Sequence, residues 1–103
     1  ARQLILRGQP VDAEQALSWG LVDRVVEPER LQAEAESQAR RLAAGPTVAY
    51  AHIKRLFRSS PHSTFAEQLE AERQAMLACA ATGDAREGIL AFADRRPANF
   101  QGR

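Results

Sequence analysis

Apolar residues recur at helical spacing through most of the chain. Leu31, Ala35, Ala39 and Leu42 make a narrow stripe that opens near Pro28, a residue suited to a first helical turn, and runs to Gly45. Pro46 opens another helix, with Ala49, Ile53, Leu56 and Phe57 on one face, Lys54, Arg55 and Arg58 on the other, and the turn sequence SSPHS at its end. The longest helix follows. Ser63 or Thr64 can cap it, Glu67 stands three residues after Thr64 as in a capping box, and Phe65, Leu69, Met76 and Cys79 or Ala80 are expected to face inward before Gly83 ends it. Asp84 is the expected cap of a last helix over 84–95, with Glu87 again at the third position. At the amino end, residues 1–7 read as the end of a helix closed by Gly8, and Asp12 can cap a short helix through Ala13, Ala16 and Leu17 that Gly20 stops. Only LVDRVVE, residues 21–27, breaks the period; its β-branched valines and alternating charges suit a short extended segment. The pattern predicts a mostly α fold of about five helices in an antiparallel run, with one candidate extended segment.

Composition narrows what such a fold can do. At 103 residues the core must be modest. Fourteen basic and 13 acidic side chains are interleaved for a net charge of +1, which argues against nucleic-acid or membrane partners recruited by bulk charge. The single cysteine, Cys79, leaves no internal disulfide and no metal-ligand spacing, and suits a reducing, cytoplasmic setting. No apolar run approaches the ~20 residues that span a bilayer.

Candidate chemistry is sparse. His52 and His62 are ten residues apart rather than one helical turn, so they do not form a helical metal pair. Ser59 and Ser60 lack the glycines of a nucleophile elbow and read as turn residues. Glu67, Glu70 and Glu72 lie on a polar helix face with no apolar pocket to raise a pKa, and read as solvated. Met76 and Cys79 read as core filling. The six glycines stand singly and form no phosphate loop. No residue of the chain is assigned a catalytic or metal-binding role. One constellation remains, in EGILAFADRRPANFQGR. There Phe92 and Arg95 or Arg96, three or four residues apart, can set a stacking surface beside a planar cation suited to phosphate. A docked terminal helix with solvated arginines is the plainer reading of the same residues.

Taken in order, several phrases resemble the carboxy-terminal part of the crotonase superfamily, the enoyl-CoA hydratase/isomerase family. They are Gly8 to Ala16 (G-x-x-V-x-A-x-x-A), Gly20-Leu21-Val22, Val25-Val26, Ala44-Gly45-Pro46, Lys54, and Glu87 to Arg96 (EG-x-x-AF-x-x-RR). The resemblance covers essentially the whole chain. It implies that residues 1–27 close the family's core region and that 28–103 are its helical trimerisation or lid region, without the preceding ββα spiral core. That upstream region supplies the oxyanion hole for the thioester carbonyl and the catalytic glutamates of the hydratases.

Several further expectations come with the resemblance. Phe92 and Arg95 match the family's phenylalanine and basic residue near the adenosine 3′-phosphate of coenzyme A, often bound by the neighbouring subunit of a trimer. Arginine here replaces the more usual lysine, keeping phosphate attraction but changing reach. The ligand is the coenzyme A moiety of an acyl-CoA substrate, with no other cofactor required, and the parent reaction is hydration of 2-enoyl-CoA thioesters. The chain starts without methionine on an apolar stretch, Leu4-Ile5-Leu6, and is expected to be a piece of a longer protein, inactive alone. A homo-oligomer is expected, trimeric or hexameric in the family. A non-catalytic helical interaction module is the alternative from another functional class.

Overall fold

The structure, a computed structural model, describes residues 2–103. Six α-helices occur among them: α1 (Arg2–Arg7), α2 (Ala13–Ser18), α3 (Leu31–Ala43), α4 (Thr47–Ser59), α5 (Phe65–Ala80) and α6 (Gly83–Ala93). Short 3-10 turns lie at Pro28–Arg30, directly before α3, and at Ser60–His62, directly after α4.

Local signals set most of the boundaries. The Asp12 carboxylate accepts the Gln15 amide at 2.7 Å and starts α2. At the other end of α2, Gly20 takes a left-handed conformation (φ +68°). The Gly20 amide then bonds to the Leu17 carbonyl and the Leu21 amide to the Ala16 carbonyl, the two bonds of a Schellman motif. Pro28 begins a 3-10 turn rather than α3 itself, which starts at Leu31. Thr64 and Glu67 form the expected capping box: the Thr64 hydroxyl accepts the Glu67 amide, and the Glu67 carboxylate accepts the Thr64 amide at 2.8 Å.

Residues 21–27 stay irregular, and no strand pairs with them among the described residues, since an extended run becomes a strand only when a second segment satisfies its backbone. Val25 and Val26 are half-buried, and Arg24 pairs with Glu34 of α3. The cap of α6 is Thr82, not Asp84. The Thr82 hydroxyl donates to the Cys79 carbonyl at 2.7 Å and accepts the Ala85 amide at 3.1 Å, closing α5 and opening α6 with one side chain. Finally, the faces expected to point inward are largely bare: Phe65 is 80% exposed and Met76 75%, and Ile53, Phe57 and Leu69 are exposed as well. Periodicity identifies an apolar face but not what covers it.

The chain divides into two compact units, with the boundary inside α3 between Glu36 and Ser37. In the first are α1, α2, the irregular segment and the start of α3. In the second, α4 packs on α5 and α5 on α6, with Ala75 and Ala91 buried among them. Small residues permit this closeness. Gly45, buried at the turn before α4, lies under the Tyr50 ring, and an added methyl there would collide with it. No helix among the described residues is long and apolar enough to cross a membrane.

Candidate functional site

The second unit ends in a strap. Residues 97–103 have no regular structure, yet they run back along α6 and are fastened at both ends by carboxylates of that helix. Asp84, in the first turn of α6, is 5% exposed and accepts the amides of Gln101 at 2.7 Å and Gly102 at 2.8 Å. Its own amide, one of those left free at a helix start, donates to the Arg103 carbonyl at 2.9 Å. One turn on, Glu87 accepts the Asn99 amide at 2.9 Å. Between these two anchors the Phe100 ring lies over Gly88, where an added methyl would stand 3.6 Å from the ring, and borders an apolar cavity of about 250 Å³ shared with Val48, Ala49 and Cys79.

Glu87 holds a second partner. The Arg96 guanidinium meets it fork to fork, Nη1 to Oε1 at 2.7 Å and Nη2 to Oε2 at 3.0 Å, and also lies 3.5 Å from Asp94. Two donors hold the Glu87 carboxyl down at about 2, Arg96 chiefly and the Asn99 amide second, while the same pairing raises the Arg96 pKa. Arg96 is thereby committed within the fold. Glu87, expected at the third position after the cap of α6, instead ties the end of that helix and its following strap together.

Arg95 differs from its neighbour. Helix α6 ends in the same Schellman pattern as α2, with the Arg95 amide bonded to the Phe92 carbonyl at 3.2 Å and the Arg96 amide to that of Ala91 at 3.0 Å. In α2 the left-handed position is Gly20; in α6 it is Arg95, at φ +53°. A side chain there costs ~1 kcal/mol relative to glycine, and such outliers concentrate where function needs them. Arg95 is exposed and its side chain has no hydrogen-bond or ion-pair partner among the described residues. Phe92, on the last turn, is 88% exposed. Of the two arginines the sequence offered, Arg96 is occupied by Glu87, and Arg95 is exposed three residues after the uncovered Phe92. An exposed ring and an unpaired guanidinium can stack a planar group and attract an anion.

Elsewhere the chemistry is structural. The Glu70 carboxyl is drawn to about 2 by Arg73 and then Gln74, and Glu67 is lowered by its bonds to Thr64, so neither is suited to proton transfer near neutrality. Glu72 accepts the Gln68 amide at 2.9 Å. His52 contacts Arg55 at 3.0 Å and His62 is exposed in its turn. Met76 is on the surface, not in a core, and Cys79 is half-buried. No group of three or more His, Cys, Asp or Glu among the described residues could hold a metal. Sequence reasoning missed Asp84, Glu87 and Arg96 as a unit, since its partners lie 9 to 18 residues apart and carry no spacing signal.

Known proteins align with this arrangement along its whole length. The chain is 37% identical over 103 residues to the 1,2-epoxyphenylacetyl-CoA isomerase of Escherichia coli (strain K12), matching all of this chain and 39% of that protein. It is 32% identical over 103 residues to the trans-2-decenoyl-[acyl-carrier-protein] isomerase of Streptococcus mutans serotype c, again all of this chain and 39% of the relative. The crystal structure of an enoyl-CoA hydratase from Polaromonas sp. JS666 superposes with a TM-score of 0.88 at 28% identity, over 96% of this chain and 38% of that one. The chain thus spans about two fifths of the length of the relatives it matches. The helical architecture is that of the corresponding part of the crotonase fold. Since the model of the enoyl-CoA hydratase/isomerase family matches residues 1–103, the chain belongs to that family.

Proposed function

We propose that this chain is the carboxy-terminal part of a cytoplasmic acyl-CoA enzyme that hydrates 2-enoyl-CoA thioesters. In this reading it supplies subunit packing and one end of the coenzyme A site, and the bond-making groups come from the rest of the protein. Family membership supports the substrate class. Among the matched proteins are both hydratases and isomerases, and hydration is the reading we adopt.

The observation that carries the site is the contrast between two adjacent arginines: Arg96 is forked onto Glu87, whereas Arg95 is left-handed, without a partner among the described residues, and three residues after the exposed Phe92. Arg95 is assigned to the 3′-phosphate and Phe92 to the adenine face. Binding of coenzyme A and of 3′-dephospho-coenzyme A to the full encoded chain tests this. Arg95→Ala should weaken coenzyme A about tenfold, the worth of one exposed charge-assisted hydrogen bond, and leave dephospho-coenzyme A nearly unchanged. Equal losses for the two ligands would remove the phosphate role.

The bare apolar faces of α4 and α5 support oligomer packing as their use, with homo-oligomeric copies as the partners. An independent interaction module would need the same faces. Membership of an acyl-CoA enzyme family over the whole chain favours the enzyme reading.

A further inference from the structure

The left-handed turn at Arg95 raises a question of its own. A residue with a Cβ holds that conformation only when its surroundings enforce it. Glycine would hold it freely, as Gly20 does at the end of α2. What enforces it in α6 is visible in the next residue. Arg96 is anchored on both sides: its amide bonds back to Ala91, and its guanidinium reaches Glu87, nine positions upstream, through two hydrogen bonds. Glu87 is itself pinned from the other direction by the Asn99 amide of the strap. With the helix end and the start of the strap tied to one carboxylate, the chain between them must turn sharply at residue 95.

We infer that Glu87, acting through Arg96, is a positioning residue that holds Arg95 in its left-handed conformation and so presents the Arg95 guanidinium beside Phe92 for phosphate. This rests on the reading of Arg95 as the phosphate-binding group. Glu87 itself touches no ligand. Its contribution is to keep the competent geometry populated, so that affinity for the phosphate is not reduced by the fraction of molecules in which Arg95 points elsewhere.

The test is a double-mutant cycle read as a ratio of ligands. Dissociation constants for coenzyme A and 3′-dephospho-coenzyme A are measured on the full encoded chain for the parent, Glu87→Gln, Arg95→Ala and the double variant. Glutamine keeps an acceptor for the Asn99 amide but loses the charge that holds Arg96. Glu87→Gln should lower the preference for coenzyme A by about threefold or more, as expected if the competent turn falls to a third of the population. In the Arg95→Ala background the same change should do nothing further to that ratio, since Glu87 then has no guanidinium to aim.

The outcomes separate the two ideas. If Arg95→Ala leaves the ratio intact, the reading of the site fails and the positioning role goes with it. If Arg95→Ala abolishes the preference while Glu87→Gln preserves it, or if Glu87→Gln still lowers it in the double variant, the positioning role alone is overturned. Should Glu87→Gln fold poorly, Arg96→Lys keeps the charge, removes the fork and must reproduce the loss of preference. A preference retained in a folded Arg96→Lys variant would equally overturn the inference.

Discussion

Replacing Asp84 by alanine probes the strap most directly. The carboxylate is buried, and its two oxygens accept the Gln101 and Gly102 amides at 2.7 and 2.8 Å. A hydrogen bond to a charged acceptor contributes ~1.5–3 kcal/mol, so the pair is worth ~3 kcal/mol or more before relaxation. An acidic group in the first turn of a helix adds ~0.3–1 kcal/mol, and alanine's better helix propensity returns ~0.5 kcal/mol. Water can also recover the freed amides once the strap lifts. The balance is ~3 kcal/mol in favour of release, roughly a hundredfold in the opening equilibrium at ~1.4 kcal/mol per factor of ten. Amide hydrogen exchange reads this residue by residue. Gln101 and Gly102 should exchange ~100-fold faster in Asp84→Ala, while amides in the middle of α5 keep their parent rates. Asp84→Asn should fall between, because its amide nitrogen turns a donor toward one of the two donors it must accept. If Gln101 and Gly102 exchange at parent rates in Asp84→Ala, the strap is not held by this carboxylate.

Other consequences can be checked separately. The Glu87 carboxyl lies at about 2 in the folded state against 4.5 as the ordinary value. The stability it contributes is therefore present above pH ~4.5 and lost as pH falls toward ~2. The Asn99 amide resonance should titrate low in that window, and a midpoint at the ordinary carboxylate value would contradict the clamp. At the helix end, Arg95→Gly should be more stable than Arg95→Ala by ~1 kcal/mol, since only glycine adopts φ +53° freely. That is ~4–8 °C in a thermal melt of a domain of this size, and coincident melts would refute it. The exposed Phe57, Phe65, Met76, Ile89 and Phe92 predict self-association of this chain. A strictly monomeric sedimentation profile at tens of micromolar, a concentration of order suited to weak association, would count against it.

What could be read from the sequence was what depends on neighbours in the chain. The Asp12 cap, the Thr64–Glu67 capping box and the Gly20 stop each require partners within three or four residues, so their spacing encodes them. Phe92 and Arg95 were singled out by the order of motifs, and periodicity alone could not tell Arg95 from Arg96. Tertiary structure shows only what occupies Arg96, which meets Glu87 once α6 has formed and the strap has folded back. The same holds for Asp84. As an acidic residue beside a glycine it reads as a cap, but Thr82 stands two positions earlier and serves both helices, which frees the Asp84 carboxylate for amides 17 and 18 residues downstream. Valines 25 and 26 show the opposite limit, a β-type composition that forms no strand without a segment to pair with. Local hydrogen bonds are written in short spacings, whereas pairings closed by a returning chain depend on geometry that no spacing records.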